Sequence, residues 1–258
     1  MNLGILAEFN PPTTKDFVWP SGTVLGIPFQ FIYFLVLLSC LTFILFFFFA
    51  FRKPKVVPGK FQLIAEMGFD FVKQNVVLGM IGPEGMVFFA LLSTFFFYIF
   101  AGNIWEVLPG VNFSMNSRIA FPIVLAVISW ITFLVVGFRK HGAWGYLKHV
   151  MFPPGVPMAL KPLIALIELL QVFVIRPLTL SVRLFANMVA GHFLLAVFFL
   201  ATFAFFTSTN WLLKAMGLFS GTLAVALVGF EIFVSGLQAF IFAVLTASYI
   251  QGAMAEEH

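Results

Sequence analysis

Arg183 lies near the middle of an apolar run from Leu160 to Phe206, and the same run carries Asn187 and His192. A second apolar run, Leu212 to Ala255, carries Glu231, Ser235, Gln238 and Tyr249. Two kinds of chemistry fit these residue types. A guanidinium keeps its charge in any surroundings and attracts an anion, while an imidazole beside a carboxyl can pass a proton. An arginine at such depth costs about 2.5–3.5 kcal/mol on insertion scales. A charge that costly points to a use.

Helical spacing sharpens the pattern. At about 100° per residue, Asn187 falls one turn beyond Arg183 on the same face, and His192 is rotated by roughly half a turn. Glu231, Ser235, Gln238 and Tyr249 fall within about 40° of one line, a polar stripe on an apolar helix. Such a stripe lines water, ions or another polar helix. Counting outward from a turn near Asn210 pairs residues by depth. Arg183 faces Gln238 at mid-depth, His192 meets Glu231 toward one side, and Glu168 meets Gln251 toward the other.

Plainer readings stand beside these. A buried acid and histidine can be simple hydrogen-bond partners, and Gln238 or Asn187 can be interhelical glue worth roughly 0.6 kcal/mol. Glu168 near the interface can be merely solvated. Arg176, followed by Pro177, reads as snorkelling or relieving a kink where the proline removes a helical hydrogen bond. Arg183 is too deep to snorkel, and its neighbour Gln238 is neutral, so its carboxylate partner is expected on another chain.

The elements that position these groups follow from composition. With 62% hydrophobic and 9% charged residues among 258, the chain cannot clothe a soluble domain in charge. The expected fold is an all-α polytopic membrane protein with five membrane-crossing helices and one interfacial amphipathic helix. The spans are expected at about 28–51, 85–108, 118–138, 160–206 and 212–255. A straight helix over 160–206 would be roughly 65 Å long, against a hydrocarbon core of about 30 Å. The last two helices must therefore tilt steeply, break, or be shielded by protein, and they are expected to form a hairpin.

Residues 60–79 suit the interfacial helix, with Phe61, Ile64, Phe71 and Val72 near one face and Glu66, Asp70 and Lys73 on another. A loop is expected from Gly142 to Met158. Residues 1–27 read as a polar, Pro/Gly-rich outer-side segment without the basic start of a signal peptide, and 28–258 as a single transmembrane domain. Basic residues cluster around Arg52–Lys73, Arg139–Lys148 and Lys161, against Lys15, Arg118 and Lys214 on the other side. That bias predicts an outside N-terminus and a cytoplasmic C-terminus.

Other functions are poorly served. Cys40 is the sole cysteine, so a disulfide framework or thiolate metal site is excluded. Haem would need paired intramembrane histidines, and only His192 qualifies. There is no P-loop, and the net charge of +4 reads as topology, not nucleic-acid binding. A proton- or ion-coupled secondary transporter remains the alternative, although no internal repeat favours it.

The stretch RPLTLSVRLFANMVAGH, Arg176 to His192, resembles the signature of subunit a of the rotary F-type ATP synthases. The likeness covers most of the chain, including NIWEVLPG after the second span and the final helix with Glu231, Gln238 and Tyr249. Arg118 in SRIAFP adds a likeness to the actinobacterial type. The resemblance implies that Arg183 faces a rotating ring of c subunits and attracts each ring carboxylate. It implies that Asn187 and Gln238 accompany that arginine, and that His192 and Glu231 line a half-channel open to the outer side. In some relatives the acid and the histidine are exchanged between the two helices. Implied partners are the c-ring, b-type peripheral stalk subunits and the remaining synthase subunits, in a bacterial plasma membrane. No cofactor or metal is implied, and the nucleotide chemistry falls to other subunits.

Overall fold

The computed structural model describes residues 22–24, 27–29, 31–107, 116, 118–152 and 158–255. Most of the expected outer-side segment 1–27, the stretch 108–115 and the terminal residues 256–258 lie outside these. Two three-residue strands, β1 (Gly22–Val24) and β2 (Ile27–Phe29), pair antiparallel. Everything else with regular structure among the described residues is helical.

The first apolar helix, α1, runs Phe31–Phe51 and so begins three residues later than expected, because Ile27–Phe29 is taken by β2. It docks through aromatic side chains. Phe47 lies 4.9 Å from both Phe69 and Phe97, centroid to centroid.

The expected interfacial helix is present as α2 (Lys60–Val72), continued by a π-helical stretch Lys73–Ile81. Its apolar residues divide differently from the sequence reading. Val72 enters the core, whereas Phe61 and Ile64 stay exposed. Gln62, read as neither face, fixes the start of the helix: its amide donates to the Lys55 carbonyl at 3.0 Å, and its oxygen accepts the Lys55 N–H at 3.1 Å.

A 3₁₀ segment, Pro83–Phe88, leads into α3 (Phe89–Val107). Helix α4 spans Ala120–His141, and its last turn carries Arg139, Lys140 and His141, where cations complement the helix dipole. The expected loop 142–158 is in part a helix. After Gly142, which adopts φ +72°, α5 runs Ala143–Met151. Tyr146 of α5 packs on Gly137 of α4, where any Cβ would run into its ring.

The long segment is one nearly continuous helix in three parts: α6 (Lys161–Leu170), a π-helical turn (Gln171–Ile175) and α7 (Arg176–Thr207). Helix α8 (Trp211–Met254) follows after a short turn, in which the Asn210 side chain accepts the Leu212 N–H at 3.0 Å. Four helical stretches among the described residues are long and apolar enough to cross a membrane: Pro83–Trp105, Ala120–His141, Lys161–Thr207 and Trp211–Met254. The fifth expected crossing, α1, contains the shorter apolar helix Val36–Phe51.

Helix α8 contributes to all three buried clusters. Ala239 and Phe242 join Phe95, Ile99, Leu125 and Leu184. Ala243 and Ala247 join Val72, Val76, Val77 and Leu92. Ile250 and Ala253 join Phe133, Tyr146 and Val172. The outer surface is apolar instead of charged, with Phe203, Leu218, Phe219 and Phe233 all exposed. Such a surface suits hydrocarbon, not water. Apart from the short β1–β2 pair, the described residues with regular structure are helical, and the chain is a polytopic membrane protein of the all-α class.

Candidate functional site

The site is built on the α7–α8 hairpin, whose register can be followed along its length. Near the turn, Ser220 Oγ lies 3.1 Å from Thr202 Oγ1 and 3.2 Å from the Phe198 carbonyl. Further along, Glu231 meets Gly191, Leu184 shares a cluster with Ala239, and Val172 shares one with Ile250. Small residues permit the close approach. A Cβ at Gly217 would stand 3.1 Å from that of Phe205, and one at Gly221 would stand 3.2 Å from Thr202 Cγ2.

The buried face of α8 passes through Ser220 and then, eleven residues on, through Glu231, Ser235, Gln238, Phe242, Thr246 and Ile250 at steps of three or four residues. The polar stripe is therefore the face turned into the protein. Thr246 ties it to α4 through a 2.9 Å hydrogen bond with Ser129.

Three levels result. Toward the turn, Glu231 is 4% exposed, and its carboxyl group covers Gly191 so closely that a Cβ there would lie 2.5 Å from Glu231 Cδ. His192, the next residue, is half-buried. Ser235, one turn beyond Glu231, is fully buried. The expected neighbours His192 and Glu231 thus share one level of the hairpin.

At mid-depth, Leu184 and Ala239 belong to one cluster, which sets Arg183 and Gln238 at one level. The two side chains differ in direction, however. Gln238 is 7% exposed within the protein. Arg183 stands on the exposed side of α7 with Thr179, Ala186 and Ala190, and Asn187 is half-buried at its edge. The sequence places the pair face to face; the structure turns the arginine outward, away from the buried face formed by Leu180, Leu184 and Met188.

At the open end of the hairpin, a cavity of about 790 Å³ is lined by Gln171, Arg176, Thr179, Ser248, Tyr249 and Gln251, among others. Gln251 and Gln171 line this cavity together, and Glu168, the expected match of Gln251, is half-buried and not among its lining residues.

Tyr249 is brought to Arg176, whose guanidinium lies 5.0 Å from the Tyr249 ring centroid and 5.8 Å from that of Phe133. The π turn before Arg176 is held from α4. Trp130 Nε1 donates to the Val172 carbonyl at 3.1 Å, serving a backbone group in the loosened stretch just ahead of Pro177. Burial pushes the Tyr146 phenol above its ordinary value, and the nearby charge of Arg176 opposes that rise.

Arg176 is the residue that sequence reasoning under-read. Its cage is assembled from α4 and α8, far apart in sequence, and only the Arg-Pro pair hinted at a special position. Among the described residues, no group of three His, Cys, Asp or Glu side chains is arranged to hold a metal ion.

Comparison with known proteins converges on one family. A family model described as ATP synthase A chain matches residues 32–251. The chain is 40% identical over 255 residues to an ATP synthase subunit a of Rhodococcus erythropolis, covering 97% of this chain and 93% of that one. It is 41% identical over 232 residues to one of Streptomyces lividans, covering 87% and 79%. A subunit a of Gluconacetobacter diazotrophicus is 41% identical over 211 residues, covering 79% and 80%. With the matched region reaching from the first apolar helix to the end of the hairpin, the chain belongs to the ATP synthase subunit a family, the proton-translocating membrane component of the synthase.

Proposed function

We propose that this chain is the stator half of the proton-driven motor. It presents Arg183 to the carboxylates of a rotating c-subunit ring and supplies two offset half-channels. The entry half-channel contains His192, Glu231 and Ser235; the exit half-channel is the cavity bounded by Thr179, Tyr249 and Gln251. Asn187 and Gln238 flank the arginine, and Glu168 lies beyond the exit. Basic residues predominate at the cavity end, which is the cytoplasmic side, with the C-terminus there and the N-terminus outside. The host membrane is a bacterial plasma membrane, and b-type stalk subunits anchor the chain.

One observation carries the reading. The only arginine in the middle of the described hairpin is exposed on the side that α8 leaves uncovered, between an acid–histidine level and a polar cavity at opposite ends. A ring carboxyl facing lipid holds its proton, because burying its charge is costly. Beside Arg183 the charged form is favoured, so the proton leaves to the exit cavity. Rotation then carries the carboxylate past the arginine, and it reloads through His192 and Glu231. A fixed cation between the two paths also stops protons from crossing without rotation. Lysine would serve poorly, since it can lose its proton when buried. Phosphoryl transfer belongs to other subunits.

Disulfide trapping tests the geometry. In a Cys40→Ser background, Ala186→Cys or Ala190→Cys should cross-link to a cysteine placed beside the ring carboxylate. Val172→Cys, on the buried side, should not. Equal trapping from both sides, or from neither, would remove the proposed ring face.

A further inference from the structure

The hairpin holds a second arginine that this scheme does not use. Arg176 stands two turns before Arg183 on the same side of α7, roughly 10 Å away along the axis. It is half-buried, lines the cavity, and is held over the Tyr249 and Phe133 rings at 5.0 and 5.8 Å. Ring faces attract a cation but cancel none of its charge. Among the described residues the rest of the polar lining is neutral, namely Gln171, Thr179, Ser248, Tyr249 and Gln251, and no described carboxylate contributes to it. The π turn clamped by Trp130 fixes where the arginine begins.

Other charged or titratable groups belong to the elements around this end of the hairpin. Tyr146 of α5 feels its charge. Lys140 of α4 donates to the Met254 carbonyl at 2.5 Å, at the edge of the cavity. Glu168 of α6 is half-buried outside the lining.

We propose that Arg176 is a positioning cation for proton exit, a fixed positive charge on the cavity wall that lowers the proton affinity of the acid discharging there. This rests on the reading above, in which that acid is a ring carboxyl opposite Arg183. A unit charge about 10 Å away, at an effective dielectric near 20, moves such an acid by about one pH unit. Removing the charge makes the acid hold its proton more tightly, so release requires a more alkaline exit side.

The test uses the assembled complex in inverted vesicles, where the exit side faces the bulk. ATP synthesis is followed against bulk pH at fixed voltage and fixed lumen pH. Arg176→Gln should move the midpoint upward by about one unit, and Arg176→Lys should restore it. Ser248→Glu, which keeps the arginine and adds an opposing charge to the same wall, should also move the midpoint upward. An unmoved midpoint in Arg176→Gln, whatever Ser248→Glu does, or equal shifts in the Lys and Gln variants, overturns the proposal and makes Arg176 structural. An Arg183→Ala arm separates the two ideas. If that variant still makes ATP at the wild-type rate, the ring-arginine reading fails. If it is inactive while Arg176→Gln is unshifted, only the role of Arg176 fails.

Discussion

The Glu231 carboxyl group lies against the backbone of Gly191, in the space that any side chain at position 191 would occupy. That contact brings the acid of α8 to the residue preceding His192 on α7, and the missing side chain of the glycine leaves room for it. Gly191→Ala must displace the carboxyl or push the helices apart. Because the displaced carboxyl ends a flexible side chain, the cost is expected at the low end for overpacking, about 1 kcal/mol. The variant complex should melt earlier in detergent, and Gly191→Ala with Glu231→Ala should recover most of the loss. Unchanged melting of the single variant would mean that the contact is not maintained.

His192 and Glu231 are expected to work as one path. His192→Ala and Glu231→Gln should each slow proton conduction through the assembled membrane sector, and the double variant should be little worse than the slower single one. The coupling should fall within about 0.5–3 kcal/mol in magnitude. Strict additivity of the two losses would show that the residues act apart.

The Trp130–Val172 hydrogen bond is expected to stabilise the π turn. Trp130→Phe keeps an aromatic ring, though a smaller one, and loses the donor, which alone costs about 1 kcal/mol. Amide exchange over residues 171–176 should speed up, while exchange in the Ala239–Phe242 region of the core stays slow. Uniform change along α8 would argue against a local clamp.

Tyr146 gives a pH dependence outside the spans. Its phenol is raised in the folded protein, chiefly by burial, so folding favours the neutral form. The sign follows: the packing of α5 on Gly137 is fully stable below the ordinary tyrosine value and weakens as pH rises through the folded one. Exchange protection over residues 143–151 should fall in that alkaline window and should lose its pH dependence in Tyr146→Phe. A loss of protection on the acid side instead would contradict the assignment.

Much of this site is legible in the sequence because an antiparallel helical hairpin is nearly a ruler. A turn at Asn210 and a rise of 1.5 Å per residue suffice to set His192 beside Glu231 and Arg183 level with Gln238. The ruler says least at Glu168 and Gln251, where Gln251 lines a cavity together with Gln171 and the count runs across the π turn. Depth is also easier to read than direction. Gln238 and Arg183 share a level, but only the packing of Leu180, Leu184 and Met188 decides that the arginine points outward.

Helix α5 escaped because AWGYLKHVM is short, contains a glycine and lies in a Pro/Gly-rich stretch. Its stability comes from Tyr146 seated on Gly137, a tertiary contact. The cage around Arg176 was hidden for the same reason, since Phe133 and Tyr249 belong to helices that meet only in the folded chain.

ATP-driven proton pumping by inverted vesicles carrying Arg183→Ala, with ATP hydrolysis followed in parallel, tests the central claim most directly. The account predicts a fully assembled complex that pumps no protons. Normal pumping by that variant would contradict it and leave Arg183 a structural residue.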